Sequence, residues 1–190
     1  MTGQVADLLF EAKFLKEIPR SGFQFLGAGK ESVAEHSFMT VFIAFVLSTM
    51  EPEIDARKLV AMCIVHDLPE SRIGDLNNVQ KAYVKANETR ALEDLGGTSS
   101  LKAGIAGLLS EFNAGTSPEA RLAKDADQLG LILELKDLID KGYAPAHKWL
   151  PYVLDRLQTG SGRQIADEIL ATERDRWWMK NYLDSPESSL

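Results

Sequence analysis

Apolar residues recur along the chain at the spacing of an α-helix rather than that of a β-strand. Between positions 8 and 18 they fall three and four residues apart, and Pro19 ends a first helix predicted over residues 5–18. The same period predicts further helices over residues 32–50, 56–66, 79–95, 101–112, 118–141, 148–157 and 164–182. The glycine-containing stretch 19–30 is predicted to be an ordered loop. Because no stretch alternates apolar and polar residues in a sustained way, the sequence predicts an all-α fold.

Capping signals mark three of these helix starts. Residues 32–35 (Ser-Val-Ala-Glu) have the capping-box pattern, in which a hydroxyl and a carboxylate each accept a hydrogen bond from the other residue's backbone. Asp55 is placed to cap the helix 56–66, and residues 117–119 (Ser-Pro-Glu) combine a cap, a first-position proline and an acid in the first turn. The helix 56–66 is apolar on nearly every side, so we expect it to be central and buried.

The length of the chain fits one domain. Its 190 residues lie within the range of roughly 100 to 200 residues that single domains usually span. Neither an internal repeat nor an interdomain linker is visible. We therefore predict a single-domain helical bundle over residues 1–183 and a polar tail over residues 184–190.

Charge and cysteine content narrow the range of partners. A formal net charge of −7 argues against binding to a nucleic acid polymer, since affinity for a phosphate backbone depends on clustered Lys and Arg. The longest apolar run, residues 41–47, is shorter than the roughly 20 residues of a membrane span, and the N-terminus lacks the pattern of a secretory signal. The single cysteine, Cys63, fits a reducing compartment. These features predict a soluble cytoplasmic protein without a membrane partner.

Two of the three histidines have informative neighbours. His66 and Asp67 adjoin at the end of the most apolar helix, and Glu70 follows one turn later. A carboxylate beside a neutral imidazole is costly to bury unless a positive charge neutralises it, and a divalent cation would do so. The alternative is that Asp67 caps a helix or pairs with an arginine while His66 is a satisfied core histidine.

His36 and Asp127 face the predicted interior from two other helices. His36 shares a stripe with Thr40 and Ile43, one turn inside the capping-box helix. Asp127 lies on an otherwise apolar face of small residues, whereas Asp125 falls on nearly the opposite face and is expected to be solvated. The sequence alone leaves a structural role for His36 open.

The order of these residues resembles that of the HD-domain superfamily of metal-dependent phosphohydrolases. The strings IPRSGF (18–23), ESVAEHS (31–37), HDLPESRIGD (66–75) and KDADQL (124–129) are similar to those of the branch that contains bacterial 5′-deoxynucleotidases. The resemblance covers roughly residues 8–135. It implies an HD-domain helical bundle and a single divalent metal ion, Mn²⁺, Co²⁺, Fe²⁺ or Zn²⁺, as cofactor. The implied ligands are His36, His66, Asp67 and Asp127.

The same resemblance assigns roles around the metal. It implies that Glu70 positions or deprotonates the attacking water, that Asp75 acts as an acid or orienter on the other side of the phosphate, and that Arg20 grips the phosphate. The implied substrates are 2′-deoxyribonucleoside 5′-monophosphates. Phe23 stands where relatives often carry a tryptophan that contacts the sugar or base.

Other residues and alternatives stay open. Asn78 and Lys81 have spacings compatible with phosphate contact, although a solvated helix face explains Lys81 equally well. Trp149, Trp177 and Trp178 are interpreted as core or subunit contacts, and family members are often homodimers. The alternative functions are hydrolysis of another nucleotide or small phosphate ester, and nucleotide binding without catalysis.

Overall fold

The computed structural model describes residues 3–183. Helices make up the secondary structure of this part of the chain, apart from one isolated β-bridge between Pro19 and Ser32, and the predicted all-α fold is confirmed. The helices are α1 (Gly3–Phe14), α2 (Gly22–Leu26), α3 (Val33–Met50), α4 (Ala56–Val65), α5 (Glu70–Ile73), α6 (Asn78–Lys81), α7 (Glu88–Glu93), α8 (Ser99–Ala114), α9 (Pro118–Asp140), a 3₁₀ helix (Ala144–Lys148), α10 (Leu150–Leu154), α11 (Gly160–Ala171) and α12 (Arg176–Leu183). The predicted polar tail, residues 184–190, lies outside the described residues.

Helix α9 forms the centre of the bundle. It packs against α3, α4, α8 and α11, and Leu129, Ile132 and Leu135 on it are completely buried. The start signal at residues 117–119 is confirmed, because the Ser117 side chain accepts a 3.1 Å hydrogen bond from the backbone of Ala120. Helices α3 and α4 also pack against each other, so three helices meet around one buried core.

The predicted caps of α3 and α4 are also confirmed. The backbone N–H of Ser32 donates to Oε2 of Glu35 at 2.7 Å, while the backbone N–H of Glu35 donates to the Ser32 hydroxyl. Asp55 accepts a 3.0 Å hydrogen bond from the backbone of Lys58. Because a cap determines where a helix begins, these contacts set the register of the histidines that follow.

A second apolar cluster joins the N-terminal part of the chain to α8. It consists of Leu8, Leu15, Val33, Leu68, Leu95, Ile105 and Leu109. Leu68 lies between His66 and Glu70 in sequence, so burial of this side chain holds the turn after α4 against the bundle.

The prediction of a single helix over residues 79–95 is wrong. Helix α6 ends at Lys81, and α7 begins only after Asn87, whose side chain accepts a hydrogen bond from the backbone of Arg90. Tyr83 and Val84 are 86% and 53% exposed. The apolar residues between the two helices therefore gain no core contacts that would stabilise a continuous helix.

The C-terminal helices also differ from the prediction. The helix predicted for residues 164–182 is interrupted at Thr172, where the backbone is extended (φ −110°, ψ 128°). The backbone of Arg174 instead donates a 2.9 Å hydrogen bond to Asp140. In place of the helix 148–157 the chain forms a 3₁₀ helix and the shorter α10, and the predicted helix 5–18 ends at Phe14. The predicted loop 19–30 contains α2.

The expectation that Asp125 is solvated is wrong, since this residue is completely buried. Its carboxylate accepts hydrogen bonds from the backbone N–H groups of Gln158 (2.7 Å) and Thr159 (2.9 Å) and from the Thr159 hydroxyl (2.6 Å). Asp125 faces α11, which covers the side of α9 that the sequence pattern assigns to solvent. The error arises because a separation of two residues places Asp125 and Asp127 on different faces of α9 but does not show which of these faces another helix covers.

Helix α3 is apolar on its outer side as well. Phe38, Phe42 and Phe45 are 67%, 54% and 57% exposed and form a row of neighbouring rings. By length and composition alone α3 is long and apolar enough to cross a membrane, with a mean hydropathy of 1.5 over 18 residues. Core helices of soluble proteins often meet the same criterion, and α3 packs against α4 and α9.

Candidate active site

Side chains from three distant parts of the chain meet between α3, α4 and α9. Nε2 of His36, on α3, lies 2.8 Å from Oδ1 of Asp127, on α9, and 3.8 Å from Oδ2 of Asp67. Nε2 of His66 lies 3.1 Å from the same oxygen of Asp67. The structure thus brings together the four residues that the sequence analysis singled out as metal ligands.

The nitrogen and oxygen atoms of this group fit a metal ion. His36, His66 and Asp67 each offer one ligand atom to a common point. The Nε2 atoms of His36 and His66 lie 3.8 and 3.1 Å from Oδ2 of Asp67, within the roughly 4.5 Å that two bonds to one ion can span. Nδ1 of His66 donates a 2.8 Å hydrogen bond to the Cys63 carbonyl, so this histidine presents Nε2 to the group. That Nε2 lies 3.1 Å from Oδ2 of Asp67, but the pair lacks the angles of a hydrogen bond, and the buried nitrogen has no hydrogen-bond partner within the described residues. A carbonyl that orients a histidine in this way is typical of metal sites.

The charges of the group favour a cation at this point. Burial lowers the pKa of His66, but the Asp67 carboxylate raises it by more than burial lowers it. The result is a pKa of about 9. Burial raises the pKa values of Asp67 and Asp127, yet the neighbouring histidines hold both below their usual range. Two half-buried carboxylates therefore attract a positive charge, either an imidazolium proton or a bound metal ion.

Helix α9 approaches His36 closely at a glycine. A Cβ atom on Gly130 would lie 3.4 Å from the His36 ring, at the short limit of ordinary van der Waals contact. Three residues before Gly130, Asp127 reaches the same ring, and Oδ2 of Asp127 accepts a 2.7 Å hydrogen bond from Gln128. The spacing of aspartate and glycine on one helix face thus allows the carboxylate to contact the imidazole.

Arg20 and Glu31 extend the group on one side. Nη1 of Arg20 lies 3.5 Å from Oδ2 of Asp67, and its Nε lies 4.0 Å from Oε2 of Glu31. Burial lowers the pKa of Arg20, but the carboxylates of Asp127 and Asp67 raise it by more, so the guanidinium stays charged. The same oxygen of Glu31 lies 3.9 Å from Nδ1 of His36, which is buried and has no hydrogen-bond partner within the described residues.

Glu31 is a buried acid that the sequence analysis gave no role. Burial, reinforced by the charge of Glu134, raises its pKa to about 7. The only sequence signal for it is its place at the start of the ESVAEHS string. Its position between Arg20 and His36 could not follow from that string, because the loop that carries Arg20 folds back onto it through the bridge at Ser32.

Asp75 is held against the Arg20 loop. Its Oδ2 accepts a 2.7 Å hydrogen bond from the backbone N–H of Ser21, and the Asn77 side chain donates to the Ser21 hydroxyl at 3.2 Å. Gly74 has φ +74°, a conformation that residues with side chains rarely adopt. This glycine turns the chain after α5 so that Asp75 faces the cavity.

Glu70 lies at the first position of α5, also on the cavity wall. Its Oε2 is buried and has no hydrogen-bond partner within the described residues. Burial, together with the charges of Asp67 and Asp75, raises the pKa of Glu70 to about 9. The carboxyl group is therefore poised to hold a proton unless a cation nearby favours its ionised form.

One cavity of about 660 Å³, a volume within the range of small-molecule sites, is lined by Arg20, His66, Asp67, Glu70, Asp75 and Asp127. His36 and Glu31 are buried beside it. Phe23, Asn78 and Lys81, the sequence-predicted substrate contacts, all line it. Phe23 is buried, whereas Asn78 and Lys81 are exposed at the rim. Lys124 does not line the cavity. Its ammonium donates to the carbonyl of Asn113.

The cavity also has a wall that the sequence analysis missed. It is formed by Lys148, Trp149, Tyr152, Val153 and Arg156. Trp149 was interpreted as a core or subunit contact, and its half-buried ring does pack against the core, but it also faces the cavity. In the sequence, the three- and four-residue spacing of these positions could have indicated that they share one helical face.

Comparison with known proteins agrees with this arrangement. A family model described as HD domain matches residues 12–168, well over half of the chain. The chain therefore belongs to the HD-domain family.

Curated relatives and solved structures give a consistent picture. The chain is 30% identical over 126 residues to the 5′-deoxynucleotidase HDDC2 of Danio rerio, in an alignment that covers 63% of this chain and 62% of the relative. It is 31% identical over 132 residues to the 5′-deoxynucleotidase HDDC2 of Dictyostelium discoideum, covering 63% of this chain and 70% of the relative. The chain thus spans slightly less than two thirds of the zebrafish protein. A conserved hypothetical protein from Pyrococcus furiosus shares the fold with a TM-score of 0.73 and 29% identity, over 88% of this chain and 99% of that one.

Proposed function

We propose that this protein is a metal-dependent phosphomonoester hydrolase that acts on 2′-deoxyribonucleoside 5′-monophosphates. The observation that carries the proposal is the convergence of His36, His66, Asp67 and Asp127 beside a cavity whose wall includes Arg20 and Glu70. Hydrolysis of a phosphate ester needs an activated water, positive charge near the phosphoryl oxygens and a proton for the departing alcohol. The name of the curated relatives, 5′-deoxynucleotidase, supports the substrate class.

His36, His66, Asp67 and Asp127 would hold the ion. A set of two imidazoles and two carboxylates suits Mn²⁺, Co²⁺, Fe²⁺ or Zn²⁺. A bound divalent ion supplies charge for the phosphoryl oxygens and lowers the pKa of water.

The remaining residues bind the substrate and move protons. Arg20 is buried enough to hold its charge in a fixed place beside Asp67, which suits it to grip the phosphate. Glu70 is the group proposed to position the attacking water and take its proton. Asp75 lies on the same cavity wall and is proposed to orient the phosphate or to protonate the departing oxygen.

The sugar is proposed to lie against Phe23. This ring is buried and lines the cavity, so it offers an apolar surface to the sugar. Asn78 and Lys81 at the rim are proposed to contact the phosphate as it enters, because both are exposed and line the same cavity.

Phosphate release from matched nucleotides tests this function. The purified protein is treated with a chelator, and its activity on deoxyribo- and ribonucleoside 5′-monophosphates is measured before and after Mn²⁺, Co²⁺, Fe²⁺ or Zn²⁺ is restored. We expect activity that disappears with the chelator, returns with metal and is higher with the deoxy substrates. Phosphate release from other esters alone would indicate a different phosphohydrolase. Nucleotide binding without release under any metal would indicate a binding protein and overturn the proposal.

We also propose that the protein is a cytoplasmic homodimer that engages neither a nucleic acid polymer nor a membrane. The exposed row Phe38, Phe42 and Phe45 supports self-association, since large exposed apolar patches mark interaction sites. Trp177, 73% exposed on α12, offers a second surface. The molecular mass of the wild type and of Phe42→Glu and Trp177→Glu variants, measured by light scattering, tests the dimer and separates the two faces. A monomeric wild type would contradict it.

A further inference from the structure

One helical face in the C-terminal third of the chain points into the cavity. Trp149, Tyr152, Val153 and Arg156 follow one another at positions i, i+3, i+4 and i+7, and all four line the cavity. Backbone hydrogen bonds from Tyr152 (3.1 Å) and Val153 (3.2 Å) to the Trp149 carbonyl hold these three residues on one side of α10. Arg156 follows in the turn after α10, where its backbone donates a 3.2 Å hydrogen bond to the Val153 carbonyl. We call these four residues the α10 face.

Buried contacts fix the α10 face at both ends. Before it, the Tyr143 hydroxyl donates a 2.6 Å hydrogen bond to the carbonyl of Leu26 at the end of α2, and Ala146 is completely buried. After it, the buried carboxylate of Asp125 accepts hydrogen bonds from the backbone of Gln158 and Thr159. The face is therefore part of the rigid bundle, and it can present a ligand with a preformed surface.

The aromatic residues of the α10 face lie across from the Arg20 loop. A Cβ atom on Gly22 would be 3.8 Å from the Trp149 ring, so this tryptophan contacts the short helix that carries Phe23. None of the cavity-lining residues between 148 and 156 is acidic, whereas the part of the wall around the histidines carries Asp67, Glu70 and Asp127. The cavity thus has one end with histidines and acids, where the proposed function places the metal and the phosphate, and another that is aromatic and cationic.

We propose that the α10 face binds the nucleobase of the substrate, with Trp149 and Tyr152 as the stacking surfaces. The inference rests on the proposed function, because it assumes that the phosphate occupies the end with the histidines. A phosphate and a pentose leave part of a 660 Å³ cavity unfilled, and a planar base matches an aromatic wall. Since every base has a π face, stacking of this kind binds all four bases with little discrimination.

An abasic substrate tests the proposal. Steady-state constants are measured for 2′-deoxyadenosine 5′-monophosphate and for 2-deoxyribose 5-phosphate, which has the same phosphate and sugar but no base. For Tyr152→Ala and Trp149→Leu we expect KM for the nucleotide to rise by about ten-fold, with kcat nearly unchanged and the constants for 2-deoxyribose 5-phosphate unaltered. Trp149→Phe should keep most of the affinity. Tyr83→Ala is the matched control, because Tyr83, like Tyr152, is mostly exposed (86%) but does not line the cavity.

Each outcome decides the question. Equal losses on both substrates would show that the variants disturb the site as a whole, and no loss on either would show that the base does not touch this wall. Both results overturn the proposal.

Two fallbacks keep the test decisive. Tyr152 is 72% exposed, so the Tyr152→Ala variant tests base binding even if Trp149→Leu fails to fold. If no ester is hydrolysed, the proposed function fails. Base binding by the α10 face is then tested separately from the affinities of the same two ligands, measured by calorimetry. A nucleotide that binds no more tightly than 2-deoxyribose 5-phosphate would overturn the proposal that the α10 face binds the base.

Discussion

The backbone N–H of Ser21 donates a 2.7 Å hydrogen bond to Oδ2 of Asp75, although the two residues are 54 positions apart. Ser21 follows Arg20 directly, so this bond ties the loop that carries the guanidinium to the turn that follows α5. Asn77 strengthens the tie through the Ser21 hydroxyl. Asp75 therefore holds the Arg20 loop in place, whatever further part its carboxylate takes in proton transfer.

Substitution of Asp75 should separate these two roles. Asp75→Ala removes a charge-assisted hydrogen bond of about 1.5–3 kcal/mol, and we expect kcat/KM to fall roughly 10- to 100-fold as Arg20 loses its position. Asp75→Asn keeps an oxygen that accepts the Ser21 N–H, so it should retain most of the substrate affinity. If the two variants are equally impaired in KM, the hydrogen bond does not position Arg20.

Loss of Asp67 and loss of Glu70 should have different effects on metal binding. Asp67→Ala removes an oxygen that lies 3.1 Å from Nε2 of His66, and we expect the purified variant to contain no stoichiometric metal by elemental analysis. Glu70→Ala should retain the metal but lose most of its turnover, because Glu70 lines the cavity outside the ligand group. Near-normal turnover of Glu70→Ala would show that another group acts as the base.

Asp125 should be important for stability rather than for chemistry. Asp125→Ala leaves two backbone N–H groups and the Thr159 hydroxyl without their acceptor, and we expect a loss of about 3 kcal/mol in the free energy of unfolding measured with urea. Asp155→Ala, at an exposed acid nearby, serves as control and should be nearly neutral. Equal stability of the two variants would contradict the role given to Asp125.

Glu119 should make stability depend on pH in the acid range. Its carboxylate accepts a 3.0 Å hydrogen bond from the backbone of Asp55 and pairs with Lys58 at 3.1 Å. Burial raises the pKa of Glu119, but these contacts lower it by more, so the folded-state pKa lies below the ordinary value of 4.5. The stabilisation is therefore complete well above pH 4.5 and is lost as the pH falls through the folded-state pKa.

Thermal unfolding of Glu119→Gln checks this sign. At pH 7 we expect a midpoint lower by roughly 2–4 °C, for a loss of about 1 kcal/mol. The difference from the wild type should shrink as the pH falls below the ordinary pKa of 4.5 and disappear below the folded-state pKa. Glu53→Gln, at an exposed acid of the same region, should show no difference at either pH. A deficit that persists unchanged in acid would mean that the substitution acts through packing and not through the charge.

Much of the fold and of the candidate site was accessible from the sequence, because the relevant signals are local. Ser32, Asp55 and Ser117 each satisfy backbone groups within three residues, so the helix starts could be predicted from short strings. The interior position of His36 and Asp127 followed from the helical period. The prediction of one helix over residues 79–95 was wrong because it depended on a contact that is not local. Helix propensity does not reveal that Tyr83 has no core to pack against.

By itself, the sequence determined the helical class of this protein and the caps that set the register of α3, α4 and α9, and its resemblance to a known family implied the ligands of the proposed metal site. The helices and their caps depend on contacts between residues a few positions apart, where spacing fixes geometry. Only the tertiary structure decided that Asp125 is buried, that Glu31 lies between Arg20 and His36, and that Trp149 faces the cavity. Each of these depends on which face of one segment is covered by another, distant segment, and helical periodicity describes the faces but not their neighbours.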